Sequence, residues 1–388
     1  MSSAATPGKP VYNVKNPCPA RVAVAHDISA ADAPKQTRHY ELDLGDSGLE
    51  YLPGDSLAVQ PQNDPELVAQ VLQAQGWSGE EVVTHPKTAA PAPLAQALLE
   101  GCLITSAEPK LLEAIVRKSG EGHPHAALLL PENKAALQQH LYGRDALDLL
   151  QENPALRFEP QEFISLLKKL NIRLYSISSS QRENPRSVHL TIATVRYQSH
   201  GRSRSGVCST FLAERIEVGR SVVPVFVNSG KGFRLPEPDE ETPIIMVGPG
   251  TGIAPFRAFL QERRATAARG RAWLFFGEVS ERSCFFYREE FEQHLRDGSL
   301  HQLTTAWSRD QAQKIYVQHR MLEQGAQLWQ WLQQGAIVYV CGDASRMAAD
   351  VDAALHQIVA QHGGMDAESA AAWMQNLRDA KRYRRDVY

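Results

Sequence analysis

A glycine-rich turn in the last third of the chain constrains its fold most strongly. Residues 247–255 read VGPGTGIAP and stand between a short apolar run at 244–247 and a helical pattern at 254–264. Glycine lets a backbone approach a phosphate closely, proline suits a first helical turn, and the helix N-terminus supplies free N–H groups and positive potential. The pattern therefore predicts a dinucleotide-binding turn, and a tight turn without a ligand is the alternative interpretation.

The residues after this turn alternate between two kinds of pattern. Apolar runs predict strands at 273–276, 302–306 and 337–340, and helical periods separate them at 285–295, 317–331 and 344–362. The ending, residues 382–388, alternates polar and apolar side chains and predicts a terminal strand. Strands that alternate with helices are typical of a parallel, doubly wound sheet.

The first two thirds of the chain show a different pattern. Short alternating strands are predicted at 21–28, 38–44, 174–178, 188–197 and 222–227, with two more at 49–59 around a Pro53-Gly54 turn. Between about 65 and 170 the period is helical, with apolar stripes such as Leu67, Val68, Val71 and Leu72. We therefore predict an α+β multidomain chain: an antiparallel β-barrel interrupted by a helical insertion, followed by an α/β domain. The predicted divisions are a tail at 1–20, the barrel at 21–66 and 160–235, the insertion at 67–159 and the α/β domain at 236–388.

Composition limits the classes of function. The 388 residues carry a net charge of −3, so no global basic field favours nucleic acid or an anionic membrane. No apolar run approaches the roughly 18 residues of a membrane span, and the first residues lack a signal-peptide core, so we expect a cytoplasmic protein. The five cysteines show neither CxxC nor Cys/His ligand spacing, and therefore no disulfide framework or metal site is expected.

Whether the dinucleotide is NAD or NADP depends on the charged side chains that follow the next two predicted strands. Glu278 ends one predicted strand and could accept from a ribose hydroxyl, as expected for NAD. Ser308, Arg309, Lys314, Tyr316 and Gln318 follow the next strand, and a hydroxyl beside two cations suits a 2′-phosphate. This set favours NADP, and a solvated basic face at the start of a helix is the alternative.

Four further features could touch a flat, phosphate-bearing cofactor. Arg173 could pair with a phosphate while Tyr175 covers a ring, and the segment Gly206, Val207, Cys208 and Ser209 opens a helix whose N–H groups could bind a second phosphate. Cys341 ends a predicted strand, where ligands collect in open α/β sheets, although a buried structural thiol is the commoner role. Tyr388, the last residue, either covers a ligand or only completes the terminal strand.

Taken in order, these motifs resemble the ferredoxin–NADP reductase-like module of the diflavin reductases, and most closely the branch of NADPH sulfite reductase flavoproteins. The resemblance covers residues 21–388, and the C-terminal tyrosine favours that branch. It implies an FAD-binding β-barrel, a helical connecting region inserted into the barrel, and an NADP-binding α/β domain. Diflavin reductases usually carry an FMN domain before the barrel, whereas here only about 20 residues precede it. FMN is therefore expected on a partner or a missing domain and not on this chain.

The resemblance also implies residue roles. The implied FAD contacts are Thr105, Arg173, Leu174, Tyr175, Ser176, Thr191, Ile192, Ala193, Tyr197, Gly206, Val207, Cys208, Ser209 and Tyr388. The implied NADP contacts are Gly250, Thr251, Ser308, Arg309, Lys314, Ile315, Tyr316, Val317, Gln318 and Asp350. The implied catalytic residues are Ser176, Cys341, Asp386 and Tyr388, with Tyr388 acting as a gate that moves for hydride transfer.

The expected function is hydride transfer from NADPH to FAD, with electrons passing on to a separate acceptor. By resemblance, that acceptor is the haem/iron–sulfur subunit of a sulfite reductase, and the reaction belongs to assimilatory reduction of sulfite to sulfide. A reductase for a separate flavodoxin-like FMN protein or another haem protein would share every motif. A subunit that holds flavin and docks a haemoprotein, without essential turnover, is the alternative from another class.

Overall fold

A computed structural model describes residues 11–120, 122–230 and 232–388. The chain divides into two compact units. Unit 1 comprises Met1–Ala58, Leu174–Thr194 and Glu217–Tyr388, and unit 2 comprises Val59–Arg173 and Val195–Ile216. The four-part division predicted above stays a prediction.

The described residues form strands with the following bounds: β1 Cys18–Asp27, β2 Thr37–Asp43, β3 Ser56–Val59, β4 Val82–Thr84, β5 Pro91–Pro93, β6 Arg173–Ser176, β7 Ser187–Ala193, β8 Arg196–Ser199, β9 Arg202–Ser205, β10 Val222–Asn228, β11 Ile244–Val247, β12 Ala272–Glu278, β13 Gln302–Trp307, β14 Ile337–Gly342 and β15 Tyr383–Val387.

The α-helices have the following bounds: α1 Pro65–Gln75, α2 Leu94–Gln96, α3 Pro109–Ser119, α4 Lys134–Leu141, α5 Ala146–Gln151, α6 Pro160–Leu166, α7 Val207–Glu214, α8 Ala254–Ala265, α9 Glu281–Cys284, α10 Arg288–Asp297, α11 Val317–Glu323, α12 Gly325–Gln333, α13 Met347–Gly363 and α14 Ala367–Asp379. Short 3-10 helices lie at Ala126–Leu129, Pro131–Asn133 and Gly250–Ile253, and a π-helix lies at Ala97–Gly101.

The first sheet has six strands in the order β6-β3-β10-β1-β2-β7. β1 pairs antiparallel with β10 and with β2, and β2 pairs antiparallel with β7. Cys18, Ala20 and Val22 alternate with exposed residues along β1, so one face of that strand is buried, as the alternating pattern predicts. An antiparallel sheet in the first part of the chain is therefore confirmed.

One of the two strands predicted around Pro53-Gly54 is wrong. Only β3 forms there, after the turn. Before the turn, the backbone N–H of Tyr51 donates to Gln181 Oε1 at 2.9 Å and that of Leu52 donates to Asp55 Oδ2 at 2.8 Å. Side chains thus satisfy the donors that a ladder would use, which stops a strand from forming.

The second sheet has five parallel strands in the order β13-β12-β11-β14-β15. Alternate residues of its central strand point to opposite faces: Ile245 and Val247 pack with side chains from α11 to α14, whereas Ile244 and Met246 pack with side chains from α8 and α10. Helices therefore cover both faces. The order of strands reverses between β11 and β14, and in such sheets ligands bind at the carboxyl ends of the strands at that point.

Unit 2 contains α1 to α7 and the hairpins β4–β5 and β8–β9. Asp64 caps α1 by accepting from the backbone N–H of Glu66, and Gly76 ends it in the left-handed conformation. Val68 and Val71 of α1 share a core with Leu111 and Ile115 of α3, so the predicted apolar stripes are the buried faces of these helices. Among the described residues of the whole chain, every helix is too short or too polar to span a bilayer.

Candidate active site

The glycine turn joins β11 to α8 in unit 1. A Cβ atom at Gly252 would lie 2.1 Å from the carbonyl oxygen of Cys341, at the end of β14, so only glycine allows this approach. Gly250 has φ +59°, a conformation that glycine adopts without strain. Pro255 lies in the first turn of α8, as the sequence predicts.

A cavity of about 440 Å³ lies beside this turn. Six predicted NADP contacts line it: Gly250, Ser308, Tyr316, Val317, Gln318 and Asp350. Gln318 Nε2 donates to Asp350 Oδ2 at 3.1 Å, which links α11 to α13. The other predicted contacts, Thr251, Arg309, Lys314 and Ile315, are not among the lining residues.

Arg309 and Lys314 carry exposed positive charge next to this lining. The structure gives neither of them an ion-pair partner within the described residues. The backbone N–H of Arg309 donates to the carbonyl of Val279 at 2.9 Å, which fixes the turn after β13 to the end of β12. Two unpaired cations give this part of the surface a local positive charge in a chain of net charge −3.

The cavity also contains residues that sequence reasoning did not include among the contacts. Lys35 and Arg346 line it, and so does Glu278. Burial raises the pKa of Glu278. The backbone N–H of Val279, which donates to the Glu278 carboxylate at 2.6 Å, and the charge of Lys35 lower this pKa by less than burial raises it. Lys35 comes from the loop between β1 and β2, more than 200 residues away in sequence, so no local motif could have included it.

Three of the predicted catalytic residues meet where β14, β15 and β6 end. Ser176 Oγ donates to Asp386 Oδ2 at 2.7 Å, and Cys341 Sγ lies 4.0 Å from the same oxygen. Cys341 is fully buried, and burial together with the Asp386 carboxylate raises the pKa of its thiol well above the usual value. The cluster therefore holds one carboxylate, one hydroxyl and one neutral thiol.

Tyr388 lies at the same end of the parallel sheet. Its hydroxyl is 2.8 Å from Thr251 Oγ1, and its backbone N–H donates to the carbonyl of Gly342 at 3.1 Å. The residue is 64% exposed, so little side-chain packing holds the ring. One hydroxyl contact and the terminal backbone are the described restraints on this tyrosine.

A buried polar network lies behind Thr191, one of the predicted FAD contacts. The hydroxyl of Tyr287 is 2.7 Å from Thr191 Oγ1 and 3.0 Å from His39 Nδ1. Arg257 lies 4.7 Å from the centre of the Tyr287 ring and 3.2 Å from His189 Nδ1. Sequence reasoning missed this network. The available signal was the presence of polar residues at alternate positions of β2 and β7, two strands whose register pairs His39 with Thr191.

This network predicts that the protein loses stability in mild acid. Burial and the Arg257 charge lower the pKa of His39 to about 2 and that of His189 to about 3. Both side chains stay neutral in the folded state, whereas in the unfolded chain they bind protons as the pH falls below about 6.5. The free energy of unfolding should therefore fall by about 2.7 kcal/mol per pH unit from these two residues below pH 6, until the folded-state pKa values are reached.

Urea unfolding at pH 6.0 and 5.0 measures this slope. We expect the His39→Gln/His189→Gln double variant to lose most of it and His362→Gln, outside the network, to keep it. An unchanged free energy of unfolding between these two pH values in the parent chain would contradict the prediction.

In unit 2, a second cavity of about 370 Å³ brings together other predicted FAD contacts. Thr105, Tyr197 and Val207 line it together with Arg204 and Arg215. The Nε atoms of Arg204 and Arg215 are buried and have no hydrogen-bond partner among the described parts of the chain. Arg204 pairs with Asp145 and, at 2.5 Å, with Asp148, so part of its charge is already balanced.

The start of α7 forms a narrow cradle in the same unit. A Cβ at Gly206 would lie 2.7 Å from Val195 Cβ and 2.8 Å from Ser209 Oγ. Ser209 Oγ accepts from the backbone N–H of Val195 at 3.1 Å, so this hydroxyl stabilises the turn. The first N–H groups of a helix have no partner within it, and they suit a phosphate. The buried Nε atoms of Arg204 and Arg215, which have no described hydrogen-bond partner, and the free N–H groups at the start of α7 fit a phosphate-bearing cofactor such as FAD.

The remaining predicted FAD contacts lie on β6, on β7 and in α7. Arg173 and Leu174 are exposed on β6, where Tyr175 and Ser176 are half-buried. Thr191 and Ile192 are buried on β7, and Ala193 ends that strand half-buried. Cys208 is buried in α7, and all five cysteines are buried free thiols.

Two stretches of the chain match known protein families. A family model described as an FAD binding domain matches residues 10–211, and one described as an oxidoreductase NAD-binding domain matches residues 246–353. The first match covers more than half of the chain.

The chain is also similar to curated proteins that share one name, sulfite reductase [NADPH] flavoprotein alpha-component. It is 46% identical to that of Bacillus subtilis (strain 168) over 100% of this chain and 64% of the relative. For Serratia proteamaculans (strain 568) the identity is 45% over 97% of this chain and 62% of the relative. The chain therefore spans less than two thirds of the length of these relatives.

These matches confirm the resemblance and the prediction that the chain has the domains of an FAD-dependent oxidoreductase. The two matched models confirm an FAD binding domain and a nicotinamide dinucleotide-binding domain. The individual contact residues stay predictions. The chain belongs to the FAD binding domain family of flavoprotein oxidoreductases, with an oxidoreductase NAD-binding domain following the FAD binding domain.

Proposed function

We propose that this chain oxidises NADPH with its FAD and passes the electrons to a separate acceptor. The observation that carries the proposal is the cluster of Ser176, Cys341 and Asp386 at the end of the parallel sheet that also carries the glycine turn. A carboxylate, a hydroxyl and a gating tyrosine at that edge suit hydride transfer between two flat rings. When bound, NADPH supplies the hydride and FAD accepts it.

The 2′-phosphate of NADPH is assigned to Ser308, Arg309, Lys314, Tyr316 and Gln318. The unpaired charges of Arg309 and Lys314 support this assignment, because a guanidinium and an ammonium stabilise a phosphate dianion. Gly250 and Thr251 would hold the pyrophosphate at the start of α8. Asp350 lines the cavity and orients Gln318 through their hydrogen bond.

The FAD contacts that the resemblance implies are described for each unit separately. In unit 1 these are Leu174, Tyr175, Ser176, Thr191, Ile192, Ala193 and Tyr388, and in unit 2 they are Thr105, Arg173, Tyr197, Gly206, Val207, Cys208 and Ser209. The cradle at Gly206 and the buried donors of Arg204 and Arg215 support phosphate binding in unit 2.

The catalytic residues prepare the site by charge and by exclusion of water. Asp386 places one negative charge where positive charge develops on the nicotinamide, and its hydrogen bond orients the Ser176 hydroxyl. Cys341 stays protonated, because burial and Asp386 raise the pKa of its thiol, and it adds no second negative charge. Tyr388 covers the reacting edge and must leave it for hydride transfer.

The acceptor is proposed to be the haem/iron–sulfur component of a sulfite reductase in the cytoplasm, reached through FMN that we expect on a partner or another domain. The relatives' name supports this choice.

We also propose that the antiparallel sheet closes into a barrel. An isolated antiparallel bridge supports this: it joins Ile177, the residue after β6, to Leu190 in β7, and β6 and β7 are the two edge strands of the sheet.

Replacing Tyr388 with serine should raise NADH activity relative to NADPH activity by about tenfold. We expect displacement of the covering ring, which costs on the order of 1.4 kcal/mol, to limit turnover with NADH, whereas a later step limits turnover with NADPH, which its 2′-phosphate contacts hold more tightly. Steady-state reduction of ferricyanide with each nucleotide gives the ratio. Tyr142→Ser, at an exposed tyrosine of unit 2, is the control. An unchanged ratio would mean that Tyr388 only packs.

The acceptor is tested with purified components. The FAD-loaded chain and NADPH are mixed anaerobically with a sulfite reductase haemoprotein, with a flavodoxin, or with both, and reduction of each acceptor is followed by its absorbance. Reduction of the haemoprotein only when an FMN protein is present supports the proposed route. Reduction of flavodoxin with no onward transfer to the haemoprotein would favour the flavodoxin reductase.

A further inference from the structure

Two clusters of two histidines and one glutamate occur among the described residues. In unit 1 the cluster is His39, Glu41 and His189, and in unit 2 it is His125, His140 and Glu152. Within each cluster, the atoms that could bind a metal ion lie within 4.8 Å of one another. The contacts that the ring nitrogens already make distinguish the two clusters.

The unit 1 cluster is occupied by hydrogen bonds. His39 Nδ1 contacts the Tyr287 hydroxyl at 3.0 Å, and His189 Nε2 contacts Ser187 Oγ at 3.0 Å. The Arg257 guanidinium lies 3.2 Å from His189 Nδ1, so both ring nitrogens of His189 already have a partner. This cluster stabilises the fold and does not suit a cation.

The unit 2 cluster has unsatisfied nitrogens. His125 Nδ1 and His140 Nε2 are buried, and neither finds a hydrogen-bond partner within residues 11–120, 122–230 and 232–388. The two rings lie with their centres 4.4 Å apart and tilted by 51°. A buried polar atom without a partner costs about 1–3 kcal/mol, so a ligand that both nitrogens share would stabilise the pair.

Glu152 completes the set at the surface end. Arg144 donates to one of its oxygens, Oε1, and a carboxylate has a second oxygen. Two imidazoles and a carboxylate form a donor set that suits Zn²⁺ and similar transition-metal ions. Bonds of about 2 Å to the ion place ligand atoms roughly 3–4 Å apart, so a small movement of the exposed Glu152 side chain closes the site.

The surrounding contacts hold His125 in place. His123 Nδ1 accepts from the backbone N–H of His125 at 3.2 Å, and His123 Nε2 lies 3.1 Å from Asn153 Oδ1. Such outer contacts orient the ligands of metal sites. His123 thus connects the segment before the 3-10 helix at 126–129 to the residue that follows Glu152.

We propose that His125, His140 and Glu152 bind one divalent transition-metal ion, with Zn²⁺ as the representative. The ion joins the segment at His125 to the C-terminal part of α4 and to the end of α5. None of the three residues is a predicted FAD or NADP contact, so metal binding is separable from the reductase reaction. Its role is to stabilise this part of unit 2.

The test uses the full chain without an added histidine tag, after treatment with a chelator. Zn²⁺ is titrated against a chromophoric competitor, and Co²⁺ is added to a second sample to record its visible spectrum. We expect one ion per chain. Changes to outer contacts weaken metal sites about 10- to 100-fold, so His125→Ala and His140→Ala, which remove ligands, should each weaken Zn²⁺ binding by more than about 100-fold. His362→Ala, a half-buried histidine of α13, should bind as the parent does.

The melting temperature is a second measurement that does not depend on activity. Zn²⁺ should raise it in the parent chain and in His362→Ala, by mass action, and leave it unchanged in His140→Ala. Circular dichroism of each variant controls for folding. Zn²⁺ affinity that is unaltered in the His125→Ala/His140→Ala double variant, or a parent chain that binds no Zn²⁺, would overturn the proposal.

Discussion

Replacing Arg309 with alanine should lower kcat/KM for NADPH by about 10- to 100-fold and leave kcat/KM for NADH nearly unchanged. A hydrogen bond to a charged group contributes about 1.5–3 kcal/mol, and this energy corresponds to that range. Arg309 is exposed beside the cavity and has no ion-pair partner in the described structure, so the substitution breaks no internal salt bridge. Steady-state ferricyanide reduction with each nucleotide measures the change.

Arg296→Ala is the matched control, because Arg296 is an exposed arginine of α10 that contacts only Gln293 through described hydrogen bonds. It should leave both nucleotides unaffected. An unchanged preference for NADPH in Arg309→Ala would reject the 2′-phosphate assignment. The same variant distinguishes a reductase from a docking subunit. If the chain only docks a haemoprotein, Arg309→Ala should bind the haemoprotein as the parent does, whatever its nucleotide preference.

Replacing Asp386 with asparagine should slow reduction of the bound flavin by about 100-fold while FAD content stays the same. The amide keeps an oxygen for the Ser176 hydroxyl, 2.7 Å away in the parent protein, but removes the negative charge that favours the transition state. Single groups of this kind typically change rates by about 100-fold or more. Stopped-flow absorbance of the flavin after mixing with NADPH measures the rate.

Asp379→Asn provides the control for Asp386. Asp379 ends α14 close to the same terminus in sequence, and its described contact is with Gln375 on its own helix. It should reduce flavin at the parent rate. A normal rate in Asp386→Asn, with full FAD content, would restrict Asp386 to a structural role.

The sequence predicted the architecture wherever periodicity and a turn signal agreed. The run at 244–247, the glycines and Pro255 predicted β11, its turn and α8, and the structure has all three. The spacing 344–362 predicted a helix that forms as Met347–Gly363. In these segments local propensity and burial favour the same conformation, so no tertiary information is needed.

The sequence failed where a backbone conformation or a distant side chain decides the local structure. A helix was predicted from 285, but Tyr287 adopts φ 57°, the left-handed region, and α10 begins only at Arg288. The hydroxyl contacts of Tyr287 with Thr191 and His39 accompany this strained conformation, and no periodicity reveals them. A single helix was likewise predicted over 317–331, where the structure has α11 and α12 joined at Gln324.

The candidate site shows the same limit. The resemblance implied Ser176, Cys341 and Asp386 as catalytic residues, and the contact between Cys341 and Asp386 depends on the register in which β14 pairs with β15. Lys35 reaches the cavity beside the glycine turn from the other end of the chain. The histidines of unit 2 come from separate segments, so no ligand spacing in the sequence marks them.

The most direct test of the central claim is the visible spectrum of the FAD-loaded chain, followed anaerobically as NADPH and then NADH is added. We predict that released flavin is FAD and that NADPH bleaches the bound flavin at far lower concentration than NADH does. A chain that takes up no FAD, or bound FAD that neither nucleotide reduces, would contradict the proposal that it transfers hydride from NADPH to FAD.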